Sequence, residues 1–264
     1  MTRRRAFLCA LAPFAGLAGR GGPATAAAAE KREALVIGNG AYAQVPLRNP
    51  GNDAQAVSGA LTGLGFSTRL LRDAGWRQMI EAVQAFVTQS ANADVRLIFY
   101  AGHGAQVRGR NYLIPVDAPM TSSDELTARS LDAGEILERL GRHSHGLNLL
   151  ILDACRNNPA NQYQLQADGR RIKLRGAAPG LAAMQPPAGT LVAFSTAPGS
   201  VADDGQGQRN SLYTHHLLRH LATPGVPLEQ MFKRVRVAVM RESAQRQRPW
   251  EESSLTVDYC LGGC

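Results

Sequence analysis

The sequence has no H-E-x-x-H zinc motif, no dense run of acidic ligands, no C-x-x-C pair and no internal repeat. These absences argue against a zincin, an EF-hand, a thioredoxin-like redox site and a solenoid. Cysteine is scarce, with 4 in 264 residues, and charged residues make up only 19% against 44% hydrophobic, a balance that excludes global disorder and fits one globular domain. His216 and His220 stand four apart on an expected helix, which is metal-capable spacing and equally the pattern of an amphipathic helix with solvated histidines. His143 and His145 fall in a loop and take no role. Asp117, Asp124 and Glu125 lack the spacing of a calcium loop, so no cofactor is expected, with calcium activation kept as an alternative that the spacing does not support.

What is present begins with an N-terminal targeting pattern. Arg3-Arg4-Arg5 is a basic segment, Ala6–Gly19 is apolar but too short to span a bilayer well, and Ala24-Thr25-Ala26 is an A-x-A cleavage signal. Arg4-Arg5-Ala6-Phe7-Leu8 resembles a bacterial twin-arginine export signal. Residues 1–26 are therefore expected to be an export signal, with an ordinary secretory signal or an uncleaved anchor as alternatives. The product is expected in the periplasm or outside the cell, without stable membrane insertion. Its removal takes four arginines, lowering the net charge from +8 to +4, and no nucleic-acid partner follows from so mild a balance. Three cysteines remain, an odd number, so at least one thiol is unpaired in an oxidising compartment. Cys260 and Cys264 can close a small terminal loop, leaving Cys155 free, or both can stay unpaired or bond to other chains.

Residues 27–264 read as one α/β domain. Ala34–Ile37, Phe66–Leu71, Val95–Tyr100, Leu147–Leu152, Thr190–Ser195 and Leu255–Tyr259 are short apolar or alternating runs ending in turn residues, the pattern of strands. Asn111–Val116 is a short extended piece at an edge, marked by Pro115. Helical spacing follows Asn52, a candidate cap, and recurs over Gly75–Ser90, Leu131–Leu140, Asn210–Leu221 and Leu228–Ala244. Residues 160–185 are polar, then basic at Arg170, Arg171, Lys173 and Arg175, then rich in Gly, Ala and Pro; they are expected to form a long mobile loop. Alternating strands and helices predict a three-layer α/β/α sandwich around a mainly parallel, roughly six-stranded sheet.

Right-handed crossovers bring the C-terminal ends of the third, fourth and fifth strands to one rim, where open α/β sheets bind ligands. His103 follows the third strand between two glycines, Cys155 follows the fourth, and Ala197–Arg209 follow the fifth. A thiol there is a candidate nucleophile and an imidazole a candidate proton carrier. The backbone N–H groups of Gly104 and Cys155 are candidates for an oxyanion hole. A lone cysteine after a strand is otherwise a structural residue.

Phe99-Tyr100-Ala101-Gly102-His103-Gly104 together with Asp153-Ala154-Cys155-Arg156 resembles the caspase-type peptidases, and within them the bacterial metacaspase-like branch. The match holds at Ala154, Cys155 and Arg156 and departs at Asp153 and Asn157, where caspases carry Gln and Gly. Thr190–Gly199 with Arg209-Asn210-Ser211 resembles the small-subunit region, and Asn52-Asp53-Ala54 a segment after the first strand. The resemblance covers roughly residues 33–259. It implies a caspase-like fold and peptide-bond hydrolysis through an acyl-enzyme, with Cys155 attacking, His103 moving the proton and no metal in the chemical step.

Asp153 in place of glutamine implies a preference for Arg or Lys before the cut, since a desolvated carboxylate pairs with a guanidinium. Asp53 and Asp153 are the expected pocket, with Asp203 or Asp204 as a further contributor. Asp53 as a simple helix cap and Asp203-Asp204 as a solvated turn are the plainer readings. Arg48 lies near where caspases place a pocket arginine, which keeps cleavage after Asp as an alternative. Basic residues 170–175 are then either an autocleavage site or an exposed linker. The competing functions are a non-catalytic caspase-like binding module and, more weakly, a thiol redox protein using Cys260 and Cys264. Protein or peptide substrates are the expected partners, and the sequence leaves oligomeric state open.

Overall fold

The computed structural model describes residues 29–119, 122–143, 145–155, 181–197 and 207–264 and three dipeptides between residues 166 and 178; for Cys155 and the dipeptides only the backbone is described. Six strands form the main sheet: β1 (Arg32–Gly38), β2 (Phe66–Arg72), β3 (Val95–Val107), β6 (Leu147–Cys155), β10 (Thr190–Phe194) and β11 (Trp250–Ser253). Their order is β11-β10-β6-β3-β1-β2; all pairs are parallel except β10 with β11. β4 (Arg110–Leu113) and β5 (Leu131–Asp132) extend the far end of β3 as an antiparallel flap. β7 (Gln166–Ala167) pairs with β8 (Arg170–Arg171), and β9 (Ala177–Ala178) pairs with β3.

The layers follow from period-two burial. In β1, Ala34 and Val36 enter one apolar cluster while Leu35 and Ile37 enter the other. β6 divides likewise, with Leu147, Leu149 and Ile151 on one face and Leu150, Leu152 and Ala154 on the other. The first face is covered by α1 (Pro50–Gly63), α5 (Leu212–His220) and α6 (Leu228–Glu242), the second by α2 (Trp76–Gln89) and α4 (Ala133–Gly141); α3 (Ser123–Ala128) is a short turn beyond the flap. This is the expected mainly parallel, three-layer architecture. Among the described residues no helix is long and apolar enough to cross a membrane.

Several local expectations are corrected. The last strand is Trp250–Ser253, not Leu255–Tyr259. Its polar residues give no apolar alternation; it is fixed by backbone pairing with β10, by the Glu251–Arg236 ion pair and by Glu252 Oε2, which accepts Met184 N–H at 2.7 Å. Leu255 and Tyr259 instead pack on the core from coil. The cap of α1 is Asn49, with Pro50 opening the helix, because proline fixes φ and its missing N–H costs nothing there. Asn52 donates to Arg209 O at 3.1 Å. The expected Leu131–Leu140 helix opens two residues late: Leu131 and Asp132 pair with β4, and Asp132 Oδ1 caps α4 through Gly134 N at 2.7 Å. Within the expected 160–185 loop, residues 181–185 are coil, with Leu181 buried and Ala182 tied to Asn111 by two hydrogen bonds.

The expected export signal lies outside the described residues. Cys260 and Cys264 form a disulfide, with Cα atoms 5.2 Å apart. The same terminus is held by Gly225 N–H on Gly263 O at 2.8 Å and by Arg32 on Leu261 O at 2.9 Å.

Candidate active site

β3 changes neighbours along its length. As far as Ala101 it runs beside β1, where Gly38 is the last partner, and from Gly104 it runs antiparallel to β4. On its other side it pairs with β6 through to His103, whose register partner is Cys155. The sequence reading put His103 beyond the strand; the strand in fact continues through it, because β4 supplies a new partner where β1 stops. Gly102 is required at this seam. Its φ is +155°, and a Cβ there would lie 2.7 Å from the Tyr100 hydroxyl and 2.8 Å from that of Tyr42. At Gly104 a Cβ would press on Ala154 and Leu181, each at 3.2 Å.

The His103 side chain is almost fully buried, and its Nε2 lies 2.9 Å from Val45 O. A carbonyl only accepts, so Nε2 carries the proton and the neutral ring has a bare Nδ1. Nδ1 has no hydrogen-bond partner among the described residues. Burial holds the imidazole pKa below its ordinary value, the Val45 bond opposing that shift. The Tyr42 ring packs on the imidazole with centroids 4.4 Å apart. Tyr42 and Val45 both belong to the loop after β1. That loop is closed by Leu47 N–H on Gly40 O at 2.9 Å and anchored by Asp73, whose Oδ1 accepts Gly40 and Ala41 N–H at 2.8 and 2.9 Å.

The structure brings Asp53 and Asp153 together. Asp53, in the first turn of α1, is 1% exposed and its Oδ1 accepts Asn210 Nδ2 at 2.8 Å and Ser211 N–H at 3.0 Å. Asp153, near the end of β6, accepts the Ser211 hydroxyl and, at 2.7 Å, the Thr214 hydroxyl, both on Oδ2. Ser211 thus touches both carboxylates, one through its backbone and one through its side chain. Its hydroxyl also receives Thr214 N–H at 2.9 Å and so caps α5. Burial pushes the Asp153 pKa up, against the hydroxyls of Ser211, Thr214 and Ser195. Asp53 is therefore more than a helix cap. Arg48 is exposed, while Asp203, Asp204 and residues 156–165 lie outside the described residues.

Other sequence candidates are engaged elsewhere. Asp117 Oδ1 accepts Trp76 N–H at 2.7 Å at the start of α2, and Asp124 pairs with Arg108 at 3.3 Å on the surface. His216 is buried against Glu242 at 2.8 Å, joining α5 to α6. Among the described residues no three His, Cys, Asp or Glu side chains gather as a metal site. Sequence reading missed Tyr42, Val45, Asn210 and Thr214 as site residues. Ser211 carried a signal, a serine just before an apolar-periodic segment; a carbonyl partner such as Val45 O carries none.

A family model for the caspase domain matches residues 31–260. The mucosa-associated lymphoid tissue lymphoma translocation protein 1 homolog of Mus musculus is 33% identical over 136 residues, which are 51% of this chain and 16% of that protein. Its Homo sapiens counterpart matches with the same identity and the same coverage. The alignment thus spans about one sixth of each curated relative.

Proposed function

The chain belongs to the caspase-domain family of cysteine peptidases, and from that premise we propose that it is an endopeptidase whose Cys155–His103 dyad cuts after Arg or Lys. The observation that carries the reading is the register of His103 with Cys155 on adjacent strands. A base and a nucleophile side by side at the exit of a parallel sheet are what acyl transfer needs.

In this reading Nδ1 of His103 takes the thiol proton of Cys155. The thiolate attacks the substrate carbonyl carbon, and its π electrons move to oxygen. The imidazolium returns the proton from Nδ1 to the leaving amine as the C–N bond breaks, leaving a thioester. Water then gives a proton to Nδ1 and attacks the thioester, releasing acid and thiol. The Val45 carbonyl keeps Nε2–H in place throughout, so that the working lone pair is always Nδ1.

Gly104 suits the oxyanion role for a reason of strand geometry. Ile114 N–H bonds His103 O at 3.1 Å, which turns the polar groups of His103 toward β4. Alternation along an extended strand then turns the N–H of Gly104 to the opposite side, toward Cys155 at the last rung of β3 with β6. With the N–H of Cys155 it would form the oxyanion hole.

Asp53 and Asp153 supply two buried carboxylates for a guanidinium or ammonium. The Ser211 and Thr214 hydroxyls both bond Oδ2 of Asp153, and Ser195 is a third hydroxyl beside the same carboxylate. Asp203 and Asp204, following β10 in the sequence, complete the proposed acidic set. Basic residues 170–175 lie between the β6 and β10 segments and become candidates for self-cleavage. The Cys260–Cys264 disulfide favours an oxidising compartment, in keeping with export directed by residues 1–26.

The test uses reporter peptides ending in Arg, Lys or Asp, offered to the mature chain, to Cys155→Ala and to His103→Ala. Cleavage after Arg or Lys by the wild type alone is expected. Cleavage after Asp only sinks the pocket assignment, and equal turnover by all three proteins sinks the dyad.

A further inference from the structure

We infer that Tyr42 is a positioning residue for His103, acting through a hydroxyl that stands in for a missing rung of the β3–β4 ladder. The inference deepens the dyad reading and rests on it for its kinetic consequence.

His103 faces Ile114, the residue after β4, next to the Gly104–Leu113 pair. Ile114 N–H donates to His103 O at 3.1 Å, half of the double hydrogen bond expected of such a pair. The other half, His103 N–H to Ile114 O, is replaced. His103 N–H donates to the Tyr42 hydroxyl at 3.0 Å, and that hydroxyl donates to Ile114 O at 2.9 Å. The Tyr100 hydroxyl stands beside it, 3.2 Å from that of Tyr42, 2.7 Å from His103 O and 2.9 Å from Ile114 O, so its proton has two carbonyls to choose between. The inserted oxygen keeps His103 away from β4 by the length of one hydrogen bond.

Three consequences meet at one side chain. The Tyr42 oxygen sets where the His103 backbone sits, and the Tyr42 ring restricts how the imidazole can turn. The loop carrying Tyr42 also presents Val45 O, which fixes the tautomer. Gly102 is the opening through which both phenols reach the strand. Without the hydroxyl, His103 N–H loses its partner and can reach Ile114 O only by displacing or sharing the Tyr100 hydroxyl at 2.9 Å and the Asn39 amide at 3.3 Å, which draws His103 toward Ile114 and away from Val45 and Cys155.

The test is Tyr42→Phe, which keeps the ring and removes the bridging oxygen. Steady-state kinetics on an Arg reporter should show kcat falling on the order of 100-fold with KM within about twofold, because a displacement near 1 Å at a reacting group has that effect. Ring-nitrogen NMR of His103 should show the Nε2–H signature of the wild type weakened in the variant. A purely structural tyrosine would lower the unfolding temperature and leave both readouts unchanged at temperatures where the variant is folded; that result overturns the inference. Should Tyr42→Phe not fold, 3-fluorotyrosine at position 42 keeps ring and oxygen while altering the strength of the bridging bonds, and the same pair of readouts decides. If the wild type cleaves no reporter, the dyad reading fails, while the NMR signature still tests Tyr42.

Discussion

His103 and Cys155 are register partners on adjacent parallel strands, each at the place where its strand gives up a neighbour or ends. β3 reaches His103 just as β1 gives way to β4, and β6 stops at Cys155. The pair is thus held by backbone pairing as well as by the loops around it.

The pH dependence of kcat/KM should show an acid limb below 6.5. The proposed mechanism needs a neutral His103, and burial lowers its pKa from the ordinary 6.5. Folding stability carries the same sign. The unfolded chain binds the proton more readily, so the contribution is fully present above 6.5 and is lost as pH falls from there toward the folded value. A limb centred above 6.5 would mean that another group controls the rate.

Asp153→Asn should separate selectivity from stability. Burial raises the pKa of Asp153, so the folded form disfavours its charge; its favourable contribution exists below the unfolded value of 3.8 and is lost as pH rises through the folded one. At neutral pH the amide should therefore raise the unfolding temperature while greatly increasing KM for Arg reporters. Calorimetry and kinetics on the same sample check this; a variant less stable at pH 7 contradicts it.

Gly102→Ala should inactivate without removing a polar group of the site. The substitution places a methyl against the Tyr42 and Tyr100 hydroxyls at a φ that L-residues avoid, at a cost of about 1–3 kcal/mol. Chemical denaturation measures the loss, and residual peptidase activity is expected to fall much further than stability does.

Ser211→Ala should act on both helix and pocket. Loss of the α5 cap costs about 1 kcal/mol, and Asp153 loses one of its hydroxyl donors. A raised KM for Arg reporters with a smaller change in kcat is expected, since in the proposed reading the residue supports the substrate-binding carboxylate; an effect confined to kcat would contradict that role.

The architecture was legible in the sequence because it rests on period-two and helical burial, which apolar residues record directly. Val95–Tyr100 and Leu147–Leu152 marked their strands through their buried side chains. What those runs did not reveal was that both strands continue, since Gly102, His103 and Asp153 lie on the strands without being apolar. β11 was missed for the same reason, its hold being backbone pairing and charge. At the site, Asp53 and Asp153 could be nominated from residue type. Their bridge through Ser211 depends on α5 packing beside α1, a relation between distant segments that no local pattern encodes.

That bridge has a bearing on what happens if the chain is nicked. Asp53 and Asp153 precede residues 156–180, while Asn210, Ser211 and Thr214 follow them. A cut in the intervening stretch would divide the pocket between two fragments, still joined by the five register pairs of β6 with β10. A ligand that binds only the assembled pocket stabilises the assembly by mass action. A basic peptide would then serve as glue, slowing separation of the two fragments in the nicked protein, and an acidic peptide of equal length would not.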